Sequence, residues 1–340
     1  MRSRFLSLSV AIALAPPGAS AVGQEVETPA GVVEFVGLHR WTIPMIQDSM
    51  KVHAPGQPLG RCAAVLRALG FPSAESLYTT SPEGRSSTLV IVVEPQDSVL
   101  VRYRRLPTRA RTSLKAWGPA YRILRTDVAA YQTGAQTFGI HAVGDTAREH
   151  LILRSYPNDS AQVRAFWRFL ERSRNAQSAN LAERTLLEDA NVENRILAAA
   201  VLGAQRGRVR AWYALVKGLR DPDERVAAAA EMGLTSLSTG AQSRIDWRPA
   251  LADVRAILDG TNVLGLRTTL VVLTKTQIDP TLAPALLREN GGLVMDLLGS
   301  HSPAHRDAAH EFLVRLAGKD LGLSPDNWKM WLQGVRARAI

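Results

Sequence analysis

The sequence predicts a mainly α protein: a small N-terminal α+β unit followed by a short α-solenoid. Three observations point there. Residues 30–95 alternate strand-like and helix-like patterns in the order β-α-α-β-β. Residues 159–338 show helical stripes with no strand run between them. Segments of that second region are also similar to one another, the mark of a repeat architecture. The chain has 340 residues, 46% hydrophobic and 21% charged, enough to bury a core and to form about two domains.

Residues 1–21 read as a secretory signal. Arg2 and Arg4 form a positive start, Phe5 to Ala15 is an apolar stretch, Pro16-Pro17-Gly18 ends any helix, and Ala19-Ser20-Ala21 is a small-residue cleavage site. The stretch is too short for a membrane core that needs ~20 residues. No later segment reaches ~18 apolar residues without charge. Cys62 lies far from the cleavage point, which excludes a lipoprotein signal, and one cysteine excludes a disulfide framework or a Cys-rich zinc site. The expected location is therefore the periplasm or envelope of a bacterium.

The N-terminal unit opens with a strand over Gly31 to Leu38, where Val33 and Phe35 alternate with Val32, Glu34 and Val36. Thr42 can cap a helix carrying Ile43, Ile46 and Met50. Pro55-Gly56-Gln57-Pro58 breaks the chain. A second helix places Cys62, Val65, Leu66 and Leu69 on one stripe and stops at Gly70. A short strand near Ser76 to Thr80, a turn at Pro82-Glu83-Gly84 and a strong strand Thr88 to Val93 complete it. Cys62, on the apolar stripe, reads as a buried structural thiol.

This order and its punctuation resemble a POTRA domain. The features are Val36-Gly37-Leu38, the Pro55-Gly56 break, Leu69-Gly70-Phe71 and the final Leu89-Val90-Ile91-Val92-Val93-Glu94. The resemblance implies a three-stranded sheet with two helices on one face. It also implies a free edge near Ser76 to Thr80 that can take up a partner strand. The unit is a single copy without a barrel after it, and the alternative is a generic α+β domain with a protected edge.

Residues 96–158 form a basic connector. Within it, residues 102–125 carry Arg102, Arg104, Arg105, Arg109, Arg111, Lys115, Arg122 and Arg125 and no acid, so that stretch alone accounts for +8 of a formal charge of +10. Pro107 and Gly118-Pro119 prevent one long helix. Thr126 to Pro157 shows weak periodicity and reads as an irregular linker. Export argues against nucleic acid as a partner. An anionic membrane surface, worth ~1 kcal/mol per basic residue, or an acidic protein fits better, with a merely solvated basic face as the alternative.

The helical region has stripes at Val163, Phe166, Trp167 and Leu170; Trp212, Leu215, Val216 and Leu219; Ala309, Phe312, Leu313 and Leu316; and Trp328, Trp331, Leu332 and Val335. Leu187-Glu188-Asp189 leads to Arg195, then alanines and Gly203; Leu219-Arg220-Asp221-Pro222-Asp223 leads to Arg225, then alanines and Gly233. Asp259 with Arg267 is a looser third copy, and Ser300 with Pro303 and Arg306 a fourth. These segments resemble HEAT repeats. The resemblance implies stacked helix pairs. Each turn aspartate would accept from backbone donors and from an arginine of the next helix, and alanines would permit close packing. Trp328 and Trp331 read as packing of a terminal cap.

Candidate chemistry is sparse. His301, His305 and His310 stand near Asp307 and Glu311, but Ser302-Pro303 looks like a helix start, which leaves His301 outside the face of His305. Glu188-Asp189 and Asp223-Glu224 fall at turns. There is no Gly-rich phosphate loop, nucleophile elbow or paired cysteine. No catalytic, metal-binding or cofactor-binding residue is expected, and no cofactor. The expectation is an exported, non-enzymatic adaptor that binds protein partners in the envelope. The alternatives are a lyase-like enzyme using the solenoid groove and an obligate subunit of an envelope complex.

Overall fold

A computed structural model describes residues 24–80, 86–109, 114–155, 160–241 and 243–338. The signal-like segment 1–21, the turn at 82–84 and Arg111 lie outside the described residues. The N-terminal unit contains β1 (Gln24–Thr28), β2 (Gly31–Val36), α1 (Ile43–His53), α2 (Ala63–Ala68), β3 (Ser73–Thr80) and β4 (Ser86–Val93). The sheet order is β1-β2-β4-β3. β2 and β4 are parallel, with Phe35 opposite Val90; the outer pairs are antiparallel. The sheet thus has four strands and not three. β1 has a single apolar residue, Val26, between charged and polar ones, so its sequence carries no core-facing pattern.

The pleat sends alternate side chains to two different cores. Val33, Phe35, Val90 and Val92 pack with Ile46, Met50, Cys62 and Leu66 beneath the two helices. Val36, Leu89, Ile91 and Val93 join the core of the helical region. Burial on both faces explains why Leu89 to Val93 is apolar without alternation. Cys62 is fully buried, and desolvation pushes its thiol up to about 12.

The helical region runs through α3 (Gly118–Thr126), α4 (Val128–Ala142), α5 (Thr146–Ser155), α6 (Ser160–Arg172), α7 (Ala176–Glu188), α8 (Val192–Gly203), α9 (Val209–Gly218), α10 (Glu224–Ser238), α11 (Leu251–Leu258), α12 (Val263–Lys275), α13 (Ala283–Leu286), α14 (Leu293–Leu298), α15 (Pro303–Ala317) and α16 (Pro325–Ala337). α7–α8, α9–α10, α11–α12 and α14–α15 are helix pairs; α8, α10, α12 and α15 stack successively as an inner layer. α8 and α10 meet at Gly203 and Gly233, where a Cβ on Gly203 would stand 2.6 Å from the Gly233 Cα, so the equivalent glycines serve one close helix crossing.

The irregular linker expected after Thr126 is instead helical. α4 packs between α6 and α10, with α3 beside it. Its buried side chains are mostly small (Ala130, Thr133, Gly134, Ala135, Gly139) and surround it on several sides, which erases the one-face periodicity that marks an amphipathic helix. With α3, α4 and its stack neighbours around it, α8 is buried from Asn194 to Gly203. At the far end α16 covers α13 and α14, with Trp328 fully buried and edge-on to Trp331. Among the described residues no helix is long and apolar enough to cross a membrane.

Candidate functional site

The helix pairs place their internal turns along one ridge, and the N-terminal part of the chain covers it. Residues 101–109 form an extended strap that meets the turns in reverse order. Arg102 N donates to Thr261 Oγ1 (2.9 Å) at the third pair, Arg104 N to the Arg220 carbonyl (2.8 Å) at the second, and the Arg109 carbonyl accepts from Ala190 N (2.8 Å) at the first.

Arg104 belongs to this ridge. Its guanidinium donates to the Leu186 and Leu187 carbonyls at the C-terminal end of α7 (2.7 and 3.0 Å) and to Asp221. A cation there satisfies carbonyls that have no intrahelical partner. Arg195 donates twice to Asp221 (3.0 and 3.1 Å) and reaches the Asp189 and Ala190 carbonyls. Arg104, Arg195 and Asp221 have almost no exposed side-chain surface. Burial pushes the Arg104 guanidinium down from its ordinary value, and Asp221 opposes the shift. Arg104 is therefore directed inward, away from any external anionic surface. Arg102, Arg105, Arg109, Lys115, Arg122 and Arg125 are exposed; Arg125 pairs with Glu193 on α8.

Turn register decides which turn residues stand in equivalent places. Asp189 and Asp221 stand three residues before α8 and α10 begin, and each accepts the backbone N–H two residues on (2.9 Å). The equivalent residue in the third turn is Gly260, not Asp259, which instead faces Arg255 at 3.6 Å. Arg225 is not the counterpart of Arg195: it is exposed and pairs with Asp223 in its own turn, beside the exposed Pro222. Arg267 donates to the Ala304 carbonyl of the next pair (2.9 Å), and Arg306 faces Asp307.

In the fourth turn Ser300 takes the aspartate position, three residues before Pro303 opens α15. Its carboxylate comes from elsewhere in the chain. Glu34 of β2, 5% exposed, accepts from Ser300 Oγ (3.0 Å), His301 N (2.6 Å) and Ser302 N (3.2 Å). His301 lies outside α15 and faces Glu25 at 3.3 Å, while His305 is buried against Ser302 Oγ. Among the described residues no group of three or more His, Cys, Asp or Glu side chains is arranged to hold a metal.

The seam between α10 and α12 on the inner layer carries two separate pockets, one toward each end, which together form the groove. Outward positions of α10 (Glu224, Ala228, Glu231, Thr235) and Thr239 just after it face those of α12 (Leu264, Thr268, Val271, Lys275), and both sets follow helical spacing. Thr268 Oγ1 donates across the seam to Glu231 Oε1 at 2.8 Å. One end is a cleft of about 70 Å³ between β3 and α10, with Arg67, Glu75, Tyr103, Glu224 and Glu231 in its wall. The other end is a cavity of about 490 Å³ where α4 and α5 approach α10 and α12. It is lined by hydroxyls of Thr133, Thr137, Thr235, Ser238 and Thr239, by Arg148, Arg267 and Lys275, and by no carboxylate. Burial raises the carboxyl pKa of Glu231, opposed by the Thr268 hydrogen bond, and raises that of Glu75, opposed by Arg67.

Of the groove residues, the sequence marks Arg267 only as a repeat residue and Glu224 only as a turn acid. It does not single out Lys275, Arg148 or the hydroxyls, although Leu264, Thr268, Val271 and Lys275 recur at helical spacing. Only the neighbouring helices show that this stripe faces another and that α4 closes one end. The chain matches no protein-family model, and no curated protein or solved structure is significantly similar to it.

Proposed function

We propose that this chain is an exported, non-enzymatic adaptor of the bacterial cell envelope that holds a protein partner in the groove along α10 and α12. The observation that carries this reading is the groove itself: an uncovered seam of the inner layer, rich in hydroxyls and solvent-directed charge. Such groups bind a polar segment by many modest contacts. Stacked pairs, turn aspartates and alanine-lined inner helices support a HEAT-like array. Two helices on one sheet face and β3 at the edge support a POTRA-like unit, although this one carries a fourth strand and buries its other face. The signal-like start supports export. The exposed basic residues of the strap and α3 offer a second contact, with an anionic membrane surface or an acidic protein.

The test is affinity capture from detergent-solubilised envelope with the mature chain, beside an Arg267→Glu/Lys275→Glu variant. A discrete protein at defined stoichiometry, lost from the variant, supports the adaptor. Equal recovery by both removes the groove from the reading. An enzyme remains the second reading because Glu231, a carboxyl whose pKa burial raises, faces the groove. Turnover of a candidate substrate that disappears in Glu231→Gln, with partner capture intact, would favour it.

A further inference from the structure

The two ends of the groove carry opposite charge. At the β3 end, Arg67 neutralises Glu75 (2.8 Å), and Asp221 is taken by Arg104 and Arg195. Glu224 and Glu231 remain as the acidic groups of that wall. At the α4–α5 end stand Arg148, Arg267 and Lys275; the acid paired with Arg148, Asp145, is 4.0 Å away and outside the lining. The two sets meet midway, where Glu231 accepts from Thr268 and feels the charge of Arg267. From Glu224 to Thr239 the helix rise of ~1.5 Å per residue gives about 22 Å, the reach of about seven residues of extended chain.

We infer that the groove takes an extended protein segment of divided charge, cationic side chains against Glu224 and Glu231 and anionic ones against Arg148, Arg267 and Lys275. This rests on the adaptor reading and adds the chemistry of the partner to it. A uniformly acidic segment would meet like charge at the β3 end; a uniformly basic one would meet it at the other. Charge placed in blocks satisfies both ends, so the groove selects by charge order as well as by composition.

The experiment uses the mature chain and four labelled synthetic peptides of about eight residues with alanine–serine spacers, followed by fluorescence anisotropy. One has lysines at one end and glutamates at the other. The second has the same composition with the charges alternating, the third only glutamates, the fourth only lysines. The block peptide is expected to bind about tenfold more tightly than the alternating one, a gap that narrows as salt is raised. Arg267→Glu/Lys275→Glu and, separately, Glu224→Lys are each expected to abolish the preference. Equal binding of block and alternating peptides overturns the inference. So does tightest binding by the all-glutamate peptide with Glu224→Lys without effect, an outcome that leaves the adaptor reading standing. Binding of none of the four removes both.

Discussion

The ridge of turns and the groove use the same residue types for opposite ends. On the ridge, Arg104, Arg195 and Asp221 are buried and hydrogen-bonded to one another and to main-chain carbonyls. In the groove, Arg148, Arg267 and Lys275 are exposed, and their contacts are looser: Arg267 donates to the Ala304 carbonyl and Arg148 stands 4.0 Å from Asp145. The difference is burial. A charge removed from water must be paired, so its loss leaves partners stranded. A charge left in water costs little to keep and is available to something else. Basic residues in this chain are therefore structural or functional according to which side of the array they reach.

The comparison breaks most visibly at Asp221. Asp221→Ala leaves Arg104 and Arg195 buried without their carboxylate and should cost about 3–5 kcal/mol, read as a lower urea midpoint. A loss below ~1 kcal/mol would mean that this buried cluster does not anchor the strap to the ridge. Next is Glu34→Ala, which strips three donors in the fourth turn and should cost about 1–3 kcal/mol. Adding Ser300→Asp should recover part of it, because aspartate does this work in the first two turns; no recovery would separate the fourth turn from the others.

The third test is pH. Burial depresses His305 to about 4, so the folded state favours the neutral ring. Its stabilising contribution is present above the ordinary histidine value of ~6.5 and is lost as pH falls toward that folded value. Wild type should lose on the order of 1–2 kcal/mol more than His305→Leu across this window; parallel stability curves would contradict it. The smallest effect is expected in the groove. Arg267→Glu/Lys275→Glu should leave stability within about 0.5 kcal/mol, and a larger loss would move these residues to the structural class.

Much of the fold was legible. Helical stripes such as Phe166-Trp167-Leu170 and Leu215-Val216-Leu219 are buried as their spacing implied. The strands over Gly31–Val36 and Ser86–Val93 lie where their valines suggested. β1 and α4 were not legible, for opposite reasons: one has too little apolar surface to show a face, the other is buried on too many sides to show one.

What the sequence determined by itself was local: which segments coil into helices, where turns interrupt them, and that helix follows helix through the second part of the chain. Those properties depend on neighbours within a few residues, through side-chain period, caps and breakers. What only the tertiary structure decided was pairing at a distance. The spacing of Ser300 marks a turn without its aspartate, but nothing near it in sequence indicates that Glu34 supplies the carboxylate from a strand in the N-terminal unit. Nor does any local pattern indicate that Arg104 is buried inside the molecule while Lys275 is exposed in the groove. Burial decides which charges must be paired, and burial is a property of the assembled chain.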